Sequence, residues 1–238
     1  CDKYHDEDQE IDDAMANFQN ISCEKLLEFS WRKNKIDTNL LNFLKRCPKL
    51  EKLIFEGNVY NSEEESIVDK FAAILPSLES LTSLYVCGYK KCVLGNDFET
   101  QLLDGLKKLP KLTCLDISNN SISDQGINSL VFSLKELSNL THIILDNNAI
   151  TSLDPLMKLA EKAIQLHKKL SISWPANDIK SLLRDQKVED SEISNLRGKF
   201  KFASEGSINL SNNSAITLDD GVVIDAKNSS SVKNKAAL

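Results

Sequence analysis

An eleven-residue pattern recurs along this chain, and it constrains the fold more than any other feature of the sequence. The segment LTCLDISNNSI, starting at Leu112, aligns with LTHIILDNNAI, starting at Leu140, at an offset of 28 residues. Apolar residues fill the first, fourth, sixth and eleventh positions, and Asn fills the ninth. The alternating apolar positions predict one buried face of a short strand, and the Asn is expected to turn inward and bond buried backbone groups.

The pattern fits seven segments in tandem. Their ninth positions are 24 to 36 residues apart, with a central spacing of 28 or 29, and hold Asn34, Asn58, Cys92, Asn120, Asn148, Asn177 and Asn213. The third copy needs a three-residue insertion after Gly88 to bring Cys92 and Leu94 into the ninth and eleventh positions. Amphipathic helical patterns lie between the copies, as in residues 67–75. Each repeat is therefore predicted to run strand, loop, helix, loop.

The repeat length and its helical second half resemble leucine-rich-repeat proteins of the ribonuclease-inhibitor-like subfamily, over residues 26–216. The resemblance implies an α/β fold, a curved solenoid of about seven repeats. In such a solenoid a parallel sheet lines the concave face and helices cover the convex face. An open solenoid exposes apolar ends, so its terminal repeats need covers.

The segments on either side of the array are predicted to supply these covers. Residues 1–25 are predicted to be an acidic N-terminal segment with a capping helix, and residues 217–225 are predicted to form a C-terminal cap. Residues 226–238 have too few apolar groups to offset the entropy of ordering, so we expect a disordered tail.

Composition and charge narrow the classes of function. A net charge of −6 argues against nucleic-acid binding, which depends on Lys and Arg displacing counterions. No apolar run approaches the roughly 20 residues of a membrane span, and the acidic start shows no export signal. Six cysteines, none beyond Cys114, favour reduced thiols in a cytosol over a disulfide scaffold. We therefore expect a monomeric cytoplasmic protein that neither binds nucleic acid nor spans a membrane.

Candidate binding residues lie on the predicted concave face, where the third, fifth and seventh positions of each strand point outward. The residues predicted to bind a partner protein are Ile54, Glu56, Tyr85, Asp116, His142, Ile144 and Asp146. An aromatic anchor with an acidic rim is typical of a protein-binding spot. Single exposed apolar residues are also normal on strands, so the sequence leaves both interpretations open.

The sequence gives little support for a catalytic site or a metal site. Cys114 and His142 occupy equivalent positions of adjacent strands, which allows a thiol nucleophile with a base to be imagined. The repeat supplies no oxyanion hole or water-excluding pocket for such a pair, so the simpler interpretation is two neighbouring sheet residues. Only three His are present and no C-x-x-C or H-E-x-x-H motif occurs. We predict no catalytic residue, metal site or cofactor, and a protein that is not an enzyme.

The leading functional hypothesis is a non-enzymatic module that binds another protein through its concave face. The resemblance implies the same, because the family includes inhibitors, sensors, adaptors and effectors that bacteria deliver into host cells. An effector of that kind, which the Ser-, Lys- and Asn-rich tail resembles, would act in the host cytosol. The alternative is a regulator of a small GTPase, of the activating type, that uses rim residues of the array. Arg32 is the one Arg on the predicted concave face.

Overall fold

Strands and helices alternate along the chain, as the repeat predicts. The computed structural model describes residues 23–60, 67–88, 94–152 and 154–173, together with the backbone of three later strands. In chain order the strands are β1 (Glu28–Arg32), β2 (Lys35–Ile36), β3 (Lys52–Glu56), β4 (Val59–Tyr60), β5 (Ser83–Cys87), β6 (Cys114–Asp116), β7 (His142–Ile144), β8 (Ser171–Ser173), β9 (Lys201–Phe202), β10 (Ser214–Thr217) and β11 (Val223–Ala226). The helices are α1 (Thr38–Leu44), α2 (Ile67–Ile74), α3 (Leu103–Leu106), which continues a π-helical turn at Phe98–Leu102, α4 (Asp124–Ser133) and α5 (Asp154–Gln165).

One sheet contains the main strand of each described repeat. Strands β1, β3, β5, β6, β7 and β8 lie side by side in chain order, and every neighbouring pair is parallel. The short strands β2 and β4 form a second parallel pair. These observations confirm an α/β fold with a parallel sheet.

One face of the main sheet packs against the helices. The apolar positions of the repeat supply this face, and they are buried: Leu53, Phe55, Leu84, Val86, Leu115, Ile143 and Ile172. Buried residues of α1, α2, α4 and α5 belong to the same continuous core, among them Leu40, Phe71, Leu130 and Leu159. The period-two alternation thus places one side of each strand in the core and leaves the other side available.

Two helices begin at residues whose side chains cap them. The carboxylate of Asp37 accepts a hydrogen bond from the Leu40 N–H at 2.8 Å, and α1 follows. The hydroxyl of Ser123 accepts from the Gly126 N–H at 3.4 Å at the start of α4. Each side chain bonds an N–H of the first turn, which has no partner within the helix.

The predicted asparagines form a buried ladder beside the strands. Asn120 is fully buried; its amide donates to Val86 O and to Ser118 O at 3.0 Å, and its Oδ1 accepts from the Leu94 N–H at 3.2 Å. Asn148 Oδ1 in turn accepts from the Asn120 N–H at 3.1 Å. In an earlier repeat, Asn58 Nδ2 donates to Trp31 O at 2.7 Å. The inward Asn therefore bonds backbone groups of adjacent repeats, as predicted.

A ladder of threonines crosses the same repeats and was not predicted. The hydroxyls of Thr82, Thr113 and Thr141 each donate to a carbonyl one repeat earlier, at Glu51, Thr82 and Thr113, over 3.0 to 3.1 Å. All three threonines occupy the second position of the repeat, directly after its first leucine. This shared position is the signal that the sequence offered.

The insertion in the third copy leaves its eleventh position in the core. Leu94 is only 2% exposed, which agrees with the predicted alignment, whereas Cys92 lies outside the described residues. Gly88, the last described residue before the insertion, donates its N–H to Ser118 O at 3.0 Å. A Cβ on Gly88 would lie 2.0 Å from Asn119 O, so the backbone approaches too closely here for any larger residue.

Beyond β8 the sheet departs from the predicted order. Strand β11 pairs with β8 in parallel, and β10 and β9 follow in antiparallel pairs. Strand β11 comes mostly from the segment predicted to be the C-terminal cap. The sixth predicted copy is described only in β8, which contains Ile172. Its Asn177, the seventh copy from Ile208 to Asn213, the N-terminal capping helix and residues 227–238 of the tail lie outside the described residues, so a count of seven repeats is not confirmed.

Candidate functional site

The face of the sheet opposite the helices carries the residues predicted to bind a partner. We call it the open face, and its described residues are Glu28, Ser30, Arg32, Lys52, Ile54, Glu56, Ser83, Tyr85, Cys87, Cys114, Asp116, His142, Ile144, Ser171 and Ser173. Strand register pairs Ile54 with Tyr85, Tyr85 with Asp116, and Asp116 with Ile144. The four therefore lie in one row, as their repeat positions predict.

The first two strands of the open face carry two ion pairs. Lys52 Nζ lies 2.9 Å from Glu28 Oε1, and Arg32 Nη1 lies 3.1 Å from Glu56 Oε2. In both cases the two residues are direct partners in the register of β1 and β3. Both cations at this end of the face are therefore already close to a carboxylate.

Ile54 corrects one expectation of the sequence analysis. It was predicted to be an exposed apolar residue of the binding surface, but it is only 8% exposed. Ile54 lies between Lys52 and Glu56 on the same side of β3, so one ion pair flanks it at each end. The long stems of such charged side chains cover apolar surface, which leaves Tyr85 and Ile144 as the more accessible apolar residues of the row.

Tyr85 is half-buried at the centre of the row. Lys52 Nζ lies 5.9 Å from the centroid of its ring, and the hydroxyl lies 3.9 Å from Cys114 Sγ. Burial, followed by the neighbouring Cys114, raises the pKa of Tyr85 to about 12, so the phenol stays protonated at neutral pH. The residue therefore offers an apolar ring with a neutral polar tip, a combination that suits interfaces.

Asp116 lies between Tyr85 and Ile144 and is held by neutral donors. Its Oδ1 accepts from the Ser118 N–H at 3.0 Å and from the Ser118 hydroxyl at 2.7 Å. Burial raises the pKa of the Asp116 carboxyl, the bonds from Ser118 and from the Cys87 thiol oppose this rise, and the charge of Glu56 adds to it. The Asp-x-Ser spacing is typical of a turn in which Asp bonds the residue two positions on, so Ser118 could have been predicted as its partner.

The adjacent strand β7 adds the remaining predicted residues. His142 is exposed, and its Nδ1 lies 2.8 Å from the Thr141 hydroxyl. Ile144 is half-buried, and Asp146, just beyond β7, accepts from the Ser173 hydroxyl at 3.5 Å. The second half of the open face therefore combines half-buried apolar residues with carboxylates.

The geometry does not favour a catalytic thiol. Cys114 and His142 are register partners, as predicted, but the Cys114 sulfur bonds the Tyr85 hydroxyl while the His142 ring bonds Thr141. Burial raises the pKa of Cys114, which disfavours the thiolate that a nucleophile needs. Within the part of the chain that the structure describes, no group of three or more His, Cys, Asp or Glu could hold a metal ion, and no helix is long and apolar enough to cross a membrane.

One surface residue on the helix side escaped the sequence analysis. Phe132 of α4 is 81% exposed, which is the largest value among the exposed large apolar residues in the described ranges. It falls within an amphipathic helix in which Ile127 and Leu130 are buried and Val131 is half-buried. Helical periodicity alone would have placed Phe132 outside the core stripe.

Comparison with known proteins gives one similar sequence and weak structural matches. Protein NLRC5 from Ictalurus punctatus is 27% identical over 150 residues, which are 63% of this chain and 8% of that protein. A crystal structure of a protein from Bacteroides fragilis matches with a TM-score of 0.42 and 14% identity, over 59% of this chain and 42% of that one. A structure titled "Leiomodin-1 Actin-Binding Site 2 (ABS2)" matches with a TM-score of 0.45 and 13% identity, over 79% of this chain and 96% of that one.

No protein-family model matches the chain. The NLRC5 match falls below the identity that would establish membership of a family, and the region it covers is a small part of that protein. The NLRC5 match, the tandem pattern and the ordered parallel strands together support a chain of leucine-rich-repeat type. They do not support any narrower subfamily.

Proposed function

We propose that this chain is a leucine-rich-repeat interaction module that binds a partner protein through the open face of its sheet. The observation that carries the proposal is the register row of Tyr85, Asp116 and Ile144 across three neighbouring strands. Aromatic residues at the centre of an interface commonly dominate its binding energy, and Tyr85 lies near the middle of the full row that runs from Ser30 to Ser173. The regular parallel order of the described strands supports a solenoid, in which this face would be the concave one.

The proposed module is not an enzyme and acts as a soluble cytoplasmic monomer. The raised pKa of Cys114 and the separate partners of Cys114 and His142 support a binding role over a catalytic one. The net charge of −6 supports a protein partner over nucleic acid. No contact among the described residues supports a GTPase regulator or a bacterial effector. Arg32, the Arg of the predicted concave face, is paired with Glu56.

The experiment has two steps. The full chain is used to capture partners from cytosol, and the captured protein, once identified by mass spectrometry and purified, is titrated calorimetrically against variants. Tyr85→Ala should raise the dissociation constant about thirtyfold or more, because truncated central aromatics commonly lose about 2 kcal/mol.

Two control variants make this experiment decisive. Phe132→Ala removes an exposed aromatic from the helix side, and Ser173→Ala changes a residue of the open face at the end of the described row. Both should bind like the unchanged protein, and circular dichroism should show that all three variants fold. If Phe132→Ala weakens binding and Tyr85→Ala does not, the partner binds the helices and the proposal is wrong.

A further inference from the structure

Charge is distributed unevenly along the open face. At its first end the cations Lys52 and Arg32 each lie within 3.1 Å of a carboxylate, those of Glu28 and Glu56. Among the described residues of the open face, the charged side chains toward β6 and β7 are carboxylates, with the exposed imidazole of His142 beside them. The centre of the row therefore has an excess of negative charge.

The Asp116 carboxylate is the centre of this excess. None of the ion pairs among the described residues includes Asp116; the groups that bond it are the Ser118 N–H, the Ser118 hydroxyl and the Cys87 thiol. Asp146 follows Ile144 by two residues, and Ile144 is the register partner of Asp116. Neighbouring strands lie about 4.8 Å apart and two residues of a strand span about 6.6 Å, so the two positions are about 8 Å apart and one cationic group can interact with both carboxylates.

Apolar surface flanks the carboxylate on both sides. Tyr85 and Ile144 are the register neighbours of Asp116, and both are half-buried. A long cationic side chain has an apolar stem and a charged end, so it matches a carboxylate set between two apolar residues. A negatively charged or purely apolar segment would leave Asp116 desolvated and without a counter-charge, which is costly.

From this arrangement we infer that the open face binds a partner segment that places a lysine or arginine side chain between Tyr85 and Ile144, with its cationic end on the Asp116 carboxylate. The inference rests on the proposed function and specifies the chemistry of the partner. The segment is expected to carry an apolar residue next to the cation, because the open face presents apolar side chains beside the Asp116 carboxylate. Binding should weaken as salt rises, because the ion pair is partly exposed.

The test uses short peptides, since the partner is not identified. A phage library of random peptides is selected on the full chain, and the enriched sequences should carry Lys or Arg beside an apolar residue. One enriched peptide is then synthesised with its cation and with Gln in that position. Both peptides are titrated by fluorescence anisotropy against the unchanged protein and against Asp116→Asn, which keeps an acceptor for Ser118.

We expect Asp116→Asn to raise the dissociation constant of the cationic peptide about tenfold or more, because the substitution removes one partner of a charge pair. The Gln peptide should bind both proteins with the same reduced affinity, because the interaction that distinguishes them is absent. Asp104→Asn is the matched control: it removes an equal charge from α3, where Asp104 pairs with Lys107 at 2.8 Å, and should change nothing.

The outcomes separate this inference from the proposed function. Three results would overturn the inference. They are enriched peptides that lack Lys and Arg, an equal affinity of the cationic peptide for Asp116→Asn and Asp104→Asn, or a selection that enriches no peptide. If Tyr85→Ala abolishes binding while Asp116→Asn does not, the open face binds a partner of different chemistry and the proposed function stands. If neither variant alters binding, the proposed function is wrong as well.

Discussion

Replacement of Asn120 by leucine is the sharpest test of how the repeats are held together. Leucine has the same number and branching of side-chain heavy atoms as asparagine, so the substitution removes hydrogen bonds without opening a cavity. Asn120 bonds three backbone groups: the Leu94 N–H and the carbonyls of Val86 and Ser118. In the variant these groups would face an apolar side chain.

The expected loss of stability follows from the groups that lose their bond to Asn120. Ser118 O keeps a partner, because the Gly88 N–H also donates to it at 3.0 Å. The Leu94 N–H and Val86 O lose the bond with Asn120, in a place where Asn120 is 0% and Leu94 2% exposed. A buried polar group without a partner costs about 1–3 kcal/mol, so the loss at two groups should lower the free energy of unfolding by about 2–6 kcal/mol.

The measurement is urea denaturation followed by circular dichroism, with the unchanged protein and a control variant in parallel. The control is Asn119→Gly, since Asn119 is exposed and has a φ of 59°, which glycine adopts without strain. From the sequence, Asn119→Ala would be expected to be harmless. The left-handed backbone changes that expectation, because alanine is strained there.

Equal losses of stability in Asn120→Leu and Asn119→Gly would refute the reasoning. Such a result would mean that the bonds of Asn120 are replaced by water or by rearrangement of the loop. A loss confined to Asn120→Leu, with an unchanged dependence on urea, would support the ladder as a source of stability.

Four further outcomes are expected, the first three in the same assay and the fourth in thermal denaturation. Gly88→Ala should destabilise more than Gly95→Ala, because a Cβ at Gly88 would lie 2.0 Å from Asn119 O, whereas alanine at Gly95 meets only the backbone strain of a φ of 49° and no atom within 4 Å; an equal effect would contradict the close approach. Thr113→Val should cost about 1 kcal/mol, since Thr82 O keeps its backbone donors; a loss several times larger would contradict this. Asp116→Asn should be more stable than the unchanged protein at pH 7. Burial raises the pKa of the folded carboxyl above 3.8, so the contribution of Asp116 to stability falls as pH rises from about that value through the raised pKa, and the gain should vanish in acid. Removal of residues 227–238 should leave the thermal transition unchanged, and a clear decrease in Tm would show that this segment stabilises the fold.

The strand register was predictable from the sequence because it follows from a single repeated constraint. A shift of one residue would move every apolar side chain of a strand to the opposite face, so the leucine positions fix the pairing. The Asn at the ninth position was predictable for a similar reason, because backbone groups that leave a buried strand need partners. Both features depend on residue type and spacing alone.

The surface of the site was less predictable because it depends on neighbours in other repeats. Ile54, which is 8% exposed, lies between Lys52 and Glu56, and each of these pairs with a residue 24 positions earlier. The environment of Asp116 depends on Ser118 within its repeat and on Cys87 from the repeat before. The repeat pattern does not specify which residue types fill its variable positions. It therefore predicts where these side chains lie and not what they contact.

A carboxylate placed like Asp116 opposes folding, and this is the reason to connect it with binding. Its desolvation is only partly offset by neutral donors, and Glu56 adds to the unfavourable charge. On the same face, equivalent positions of the row hold Ser30 and Ser173, which carry no charge to desolvate. The sheet does not need an acid at this position, since its strands pair through backbone groups. A cationic group from a partner would supply the missing counter-charge. Binding would therefore offset the unfavourable desolvation of Asp116 that remains after folding.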